Sequence, residues 1–237
     1  MTLEDEIIQV LATLGKLHSV DFKAIGLEGY GRDAGFYARQ MKSLGKVSAA
    51  QGAVIDEETG EAVGPIPRLD EMFAWFRRNE VKDRATIIHG DFKIDNMIFH
   101  PTEPRVIGVL DWELSTIGHP LSDLSNLLQP FYIPDQPGLV GLKGLDPLPV
   151  PGSGELMQCY CSQLKGIQYP IDNWLFAVAF SFFRLAVITQ GIAARVARKQ
   201  ASSAQAKFVA QKFKPVSYLA LDIVDRGELG RQTNSKL

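Results

Sequence analysis

Along the first twenty residues, the apolar positions Leu3, Ile7, Val10, Leu11, Leu14 and Leu17 recur at intervals of three and four. That period places them on one face of an amphipathic helix running through His18, with Thr2 and Asp5 as its N-terminal capping pair. Leu69, Met72, Phe73 and Phe76 repeat the pattern and predict a second helix. Between the two, residues 45–67 hold Gly45, Gly52, Gly60, Gly64, Pro65 and Pro67 around the acidic Asp56-Glu57-Glu58, which reads as a solvated loop. The pattern then shortens to strands: Thr86-Ile87-Ile88, Met97-Ile98-Phe99 and Val106-Ile107-Gly108-Val109-Leu110, the last two joined by the turn-like His100-Pro101-Thr102-Glu103-Pro104.

Residues 133–154 are rich in proline and glycine and form a long irregular segment, which in a compact domain is more often a functional loop than filler. Residues 173–200 read as one long helix. Its stretch from Trp174 to Phe183 is apolar on nearly every face before Arg184 interrupts it, a length that suits a buried helix rather than a membrane span. Arg184 in such a context is expected to need a carboxylate partner. The alanine-rich residues 193–213, with Arg195, Arg198, Lys199, Lys207 and Lys212, continue as one or two amphipathic helices.

The 237 residues carry 46% hydrophobic and 22% charged side chains, an ordinary globular composition with room for a sizeable core. A net charge of -2 and a pI near 6.1 argue against a dominant nucleic-acid role, which needs concentrated positive charge. Two cysteines, Cys159 and Cys161, are too few for a disulfide framework or a cysteine zinc site and read as buried free thiols. The acidic N-terminus opens no secretory signal. The last three residues, Ser235-Lys236-Leu237, form the S-K-L address read by the peroxisomal import receptor, and residues 230–237 read as a flexible tail that presents it after a domain spanning 1–229. The peroxisomal matrix is therefore the expected location, with the cytoplasm as the alternative.

The chemistry concentrates in His89-Gly90-Asp91-Phe92-Lys93-Ile94-Asp95-Asn96 and in Asp111, twenty residues after Asp91. Phosphoryl transfer needs one carboxylate to orient and deprotonate the acceptor hydroxyl and oxygen ligands to hold magnesium against the phosphates. Asp91, Asn96 and Asp111 supply that set, and Lys93 would bring an ammonium near the transferring phosphate. His89, just before Gly90, suits packing against the loop backbone better than catalysis. His18, His100 and His119 lack partners at ligand spacing and read as surface or capping histidines, while Trp112 reads as core and Glu113 as able to reach the metal or the acceptor.

Taken in order, His89-Gly90-Asp91, Asn96, Val109-Leu110-Asp111-Trp112-Glu113 and Gly118-His119-Pro120-Leu121-Ser122-Asp123-Leu124 resemble the aminoglycoside phosphotransferase and choline kinase-like superfamily. Leu14-Gly15-Lys16-Leu17-His18-Ser19-Val20-Asp21 is similar to the helix opening that family's C-terminal lobe. The resemblance implies an α+β, mostly α-helical fold: a protein-kinase-like C-terminal lobe with a small β-hairpin region carrying the catalytic loop. It also implies Asp91 as base, magnesium on Asn96 and Asp111, ATP as donor and Asp123 as the carboxylate bracing the loop. Within the superfamily the sequence is most similar to kinase-like domains associated with acyl-CoA dehydrogenases, which implies a hydroxyacyl-CoA as the acceptor.

A kinase of this type also uses an N-terminal lobe whose glycine-rich loop and strand lysine grip the phosphates. The 88 residues before His89 contain no Val-Ala-x-Lys-like strand. Gly29-Tyr30-Gly31-Arg32-Asp33-Ala34-Gly35 has its third glycine one position late and no strand before it, so it reads as a turn between helices and leaves the nucleotide-binding residues unassigned. The expectation is thus a magnesium- and ATP-dependent small-molecule kinase, impaired as this shortened chain. The alternatives are an inactive kinase-like binding module or truncated product and, least favoured, a two-metal phosphohydrolase built on His89, Asp91 and Asp111.

Overall fold

The computed structural model describes residues 3–136 and 138–234. Thr2 of the expected capping pair and Ser235-Lys236-Leu237 lie outside the described residues. About half of the chain is helical, and the described residues fall into two compact units, one formed by Met1–Phe36 and Lys82–Trp174, the other by Tyr37–Val81 and Leu175–Leu237.

In the first unit, helix α1 (Leu3–Ser19) buries Ile7, Val10, Leu11, Leu14 and His18 along one face. Glu4, Asp5 and Glu6 in its first turn and Lys16 in its last complement the helix dipole. Strand β1 (Thr86–Ile88) is wholly buried and pairs antiparallel with β4 (Thr116–Gly118), Ile87 lying opposite Ile117. These two isoleucines pack with Phe22, which fastens β1 beneath the chain leaving α1. Strands β2 (Met97–Phe99) and β3 (Val106–Val109) form a separate antiparallel hairpin, with Met97 opposite Val109 and a bulge between Ile98 and Phe99. Two short helices complete this unit, α4 (Leu121–Leu127) and α5 (Ser153–Ser162), and α5 packs on α1. The described residues among 133–152 between them hold only isolated bridges, as expected of an irregular segment.

The second unit holds α2 (Phe36–Gly52), α3 (Leu69–Asn79), α6 (Trp174–Ala197), α7 (Ala206–Ala210) and α8 (Phe213–Asn234). Its core is aromatic: Phe76 of α3 meets Phe176, Phe180 and Phe183 of α6 at centroid distances of 5.7, 5.1 and 5.9 Å. Edge-to-face and tilted pairs of this kind add to the burial of their area. Among the described residues α6 is the one helix long and apolar enough to cross a membrane, and 67% of its apolar window is buried inside the protein. Arg184 is half-buried on it.

Two expectations need correction. Residues 45–52 are helical, because Gly45 and Gly52 serve close packing rather than a turn: a Cβ on Gly45 would lie 3.0 Å from the Phe73 ring and one on Gly52 2.9 Å from the Gly64 carbonyl oxygen. The long helix does not run into residues 198–205. Lys199 adopts a left-handed conformation (φ 56°), and the bonds Gln200 N–H to Arg195 O and Lys199 N–H to Val196 O close a Schellman cap without a glycine. Helix α8 runs to Asn234, the last described residue.

Candidate functional site

The loop from His89 to Asn96 begins where β1 ends and is held from below by Asp123, a fully buried residue of α4. Its carboxylate accepts the His89 N–H at 2.7 Å and the Gly90 N–H at 2.9 Å. Gly90 has φ 85°, and a Cβ there would run into the Leu114 carbonyl, so the turn admits only glycine. The His89 ring is placed by two bonds: Nδ1 accepts the Asp91 N–H at 3.2 Å, which leaves the hydrogen on Nε2 to be donated to Leu110 O at 2.8 Å. His89 thereby ties the loop to the strand end that carries Asp111, with Trp112 tilted against the ring at 4.7 Å.

Past this anchor the loop turns outward. Asp91 Oδ2 meets Lys93 Nζ at 2.8 Å and accepts from Asn96 Nδ2 at 3.1 Å, while the same Nδ2 donates to the Asp91 carbonyl at 2.9 Å. The Asp91 side chain is 26% exposed and that of Lys93 44%, so the pair sits at the surface of the loop and is reachable from solvent. Asn96 closes a 3-10 turn, Ile94–Asn96, and its carbonyl accepts the Leu110 N–H at 2.8 Å. That bond extends the β2–β3 ladder by one step and brings Asn96 beside the segment bearing Asp111. Asp111 itself is exposed and left-handed (φ 66°, ψ 56°), a conformation that aspartate and asparagine tolerate better than other side chains and that often marks functional positions.

The donor chemistry fits magnesium. With its amide nitrogen committed to Asp91, Asn96 keeps an oxygen acceptor, and Asp111 offers an exposed carboxylate. Magnesium takes hard oxygen ligands, commonly one or two carboxylates together with waters and substrate phosphates. Among the described residues no group of three or more His, Cys, Asp and Glu could cage an ion alone. A two-metal hydrolase site on His89 fits poorly, because both ring nitrogens of His89 are already in hydrogen bonds.

Other side chains fall differently from expectation. His18 is neither a surface nor a capping residue: it is buried in α1, with Nε2 3.3 Å from Asp123 Oδ2 and Nδ1 2.6 Å from the Tyr160 hydroxyl. The signal in the sequence was its place on the buried face, four residues after Leu14 and seven after Leu11. His119 is buried too, accepting the Leu121 N–H at Nδ1 and donating from Nε2 to Lys82 O, and burial pushes its pKa down to about 4. Trp112 is not core but 41% exposed, its Nε1–H donated to Val109 O. Ile94, Ile98, Leu110 and Leu114 are exposed as well. Cys161 is buried and Cys159 half-buried, and desolvation raises both thiols, Cys161 to about 11. Residues 29–35 are irregular and lead into α2, with the Tyr30 hydroxyl bonded to Ser115.

A buried carboxylate gripping two loop amides, with an aspartate, an asparagine and a second aspartate presented beyond it, defines a phosphotransferase fold of the kinase type. The chain belongs to the phosphotransferase enzyme family (APH), whose model matches residues 2–154. It is 37% identical over 224 residues to acyl-CoA dehydrogenase family member 11 of Gallus gallus, covering 91% of this chain and 27% of that protein. It is also 37% identical over 217 residues to acyl-CoA dehydrogenase family member 10 of Mus musculus, covering 90% of this chain and 19% of that protein. The chain thus spans about a quarter of the length of the curated relatives it matches. A crystal structure of a candidate aminoglycoside phosphotransferase from Ralstonia eutropha JMP134 superposes with a TM-score of 0.80 at 33% identity, covering 95% of this chain and 67% of that one. Choline kinase from Cryptosporidium parvum Iowa II shares the fold at 12% identity and a TM-score of 0.63, over 95% of this chain and 67% of its own.

Proposed function

We propose that this chain carries the acceptor and metal side of a small-molecule kinase that moves the terminal phosphoryl group of ATP onto a hydroxyl. The observation that carries the reading is the Asp91 carboxylate, ionically paired with Lys93 at 2.8 Å and oriented by Asn96 at 3.1 Å on a loop braced by Asp123. Asp91 accepts the proton of the acceptor hydroxyl as that oxygen bonds to the γ-phosphorus, and the bond to the bridging oxygen breaks to release ADP. Lys93, 44% exposed, is free to leave Asp91 for the incoming phosphate and offset charge on its equatorial oxygens. Asn96 and Asp111 would hold magnesium, which supplies charge neutralisation between the phosphates.

The names of the relatives, acyl-CoA dehydrogenase family members 10 and 11, support a hydroxylated acyl-CoA as the acceptor. Ser235-Lys236-Leu237 supports a peroxisomal setting for it. The test is transfer of labelled phosphate from ATP to a panel of hydroxyacyl-CoA thioesters with magnesium present. Asp91→Ala should lower the rate on the order of 10²- to 10⁴-fold, the weight of a positioned base. An unchanged rate refutes the assignment, and acyl-CoA binding without ATP turnover favours a kinase-like binding module.

A further inference from the structure

The grip of Asp123 on the loop is itself held from behind. Asp123 only accepts hydrogen bonds, so the hydrogen shared with it at 3.3 Å belongs to His18 Nε2. In the neutral ring the other nitrogen, Nδ1, then accepts the hydroxyl hydrogen of Tyr160 at 2.6 Å. Tyr160 and Asp123 are fully buried and His18 is 4% exposed, so each of these bonds is made where water is scarce and a lost partner is costly to replace. Two further features keep the order in register. Thr86 at the start of β1 donates its hydroxyl to the His18 carbonyl at 2.8 Å, and α5 is fixed at its start by Glu155 accepting the Gly152 N–H at 3.0 Å.

We infer that Tyr160 is a positioning residue for phosphoryl transfer: from α5 its hydroxyl sets the orientation and tautomer of His18, and through His18 and Asp123 the placement of the His89 and Gly90 amides before Asp91. The inference rests on the phosphotransferase reading for its kinetic consequence, not for its structural one. Tyr160 touches neither the acceptor nor the phosphates. It ties the catalytic loop to the helix that directly follows the irregular residues 133–152, so a displacement of α5 reaches the base through three side chains.

Tyr160→Phe removes one oxygen and leaves the ring in its edge-on contact with His18. Hydrogen exchange resolved at the His89 and Gly90 amides should quicken about five- to ten-fold, the weight of a single hydrogen bond, with α6 unchanged. The turnover number should fall by a similar factor while the KM for ATP stays constant. A second variant, His18→Leu, removes both bonds of the relay, so adding Tyr160→Phe to it should change loop exchange no further. Unchanged exchange at His89 and Gly90 overturns the inference, whether or not transfer is seen. So does exchange that rises evenly over the whole unit, or faster loop exchange with an unaltered turnover number. Faster loop exchange in a protein whose wild type transfers no phosphate leaves the Tyr160 relay standing and refutes the phosphotransferase reading instead.

Discussion

Replacing Asp123 by asparagine changes one atom of a side chain that reaches no solvent, and its cost can be worked from three contacts. The carboxylate accepts the His89 N–H at 2.7 Å and the Gly90 N–H at 2.9 Å, one on each oxygen, and faces His18 Nε2 at 3.3 Å. Asparagine keeps one oxygen and presents an NH₂ group in place of the other. Whichever way the amide is turned, one backbone N–H points at a donor and goes unpaired in a buried place, at about 1–3 kcal/mol. The surviving bond loses its charge assistance, roughly 1 kcal/mol more. The expected loss is therefore about 2–4 kcal/mol, which for a chain of this length lowers the melting temperature by roughly 6–12 °C. Urea denaturation followed by circular dichroism measures it, with Asp95→Asn on the exposed side of the same loop as a control expected to stay within about 0.5 kcal/mol. A loss at Asp123 no larger than that of the control would refute the reasoning, because the loop would then be held by something other than this carboxylate.

Asp111→Asn keeps a residue that tolerates the left-handed backbone and removes only the charge, so stability without magnesium should be unchanged within about 0.5 kcal/mol. The rise in melting temperature produced by magnesium and ATP together should disappear, and a retained rise would remove Asp111 from the metal site. His119 has a folded pKa of about 4 against an ordinary value of 6.5, so below pH 6.5 the unfolded chain takes up a proton that the folded one refuses. Stability is then fully present above pH 6.5 and declines as pH falls toward 4, about 3 kcal/mol in all, and His119→Asn should flatten that slope in melts across the range. An unaltered slope would show that other groups carry the acid sensitivity.

What could be read along the chain was what neighbouring residues dictate. The spacing of Leu3 through Leu17 and of Leu69 through Phe76 and the apolar triplets at 86–88 and 97–99 specify elements locally, and α1, α3, β1 and β2 stand where their periods put them. Asp91, Lys93 and Asn96 meet through contacts two and five residues apart, within reach of sequence reasoning. His18 meets partners 105 and 142 residues away, and nothing near position 18 specifies them. Glycines misled at 45 and 52 because the same lack of a side chain serves a turn and a tight helix contact. Lys199 misled in the opposite sense, since a helix usually ends on glycine in the left-handed position and here does so on a lysine. Trp112 reads as core in the sequence, whereas the side chain is 41% exposed, with its indole N–H donated to Val109 O and its ring against His89.

The two sides of the loop are finished to different degrees, and this bears on how the chain works. Toward the interior, both backbone amides at the start of the loop have a carboxylate, that carboxylate has a histidine and the histidine has a phenol, all from the first structural unit. Toward solvent, Asp91 meets the part-exposed ammonium of Lys93 and the amide of Asn96, while Asp111, Ile94, Ile98, Leu110, Trp112 and Leu114 are exposed. A protein gains by fixing in advance the groups that must not move during transfer and by leaving exposed those that must meet two substrates, since preorganised positions need no rearrangement at the moment of reaction. On the proposed reading, a hydrogen-bonded chain behind Asp91 and exposed groups in front of it are what a phosphotransferase needs on its acceptor side.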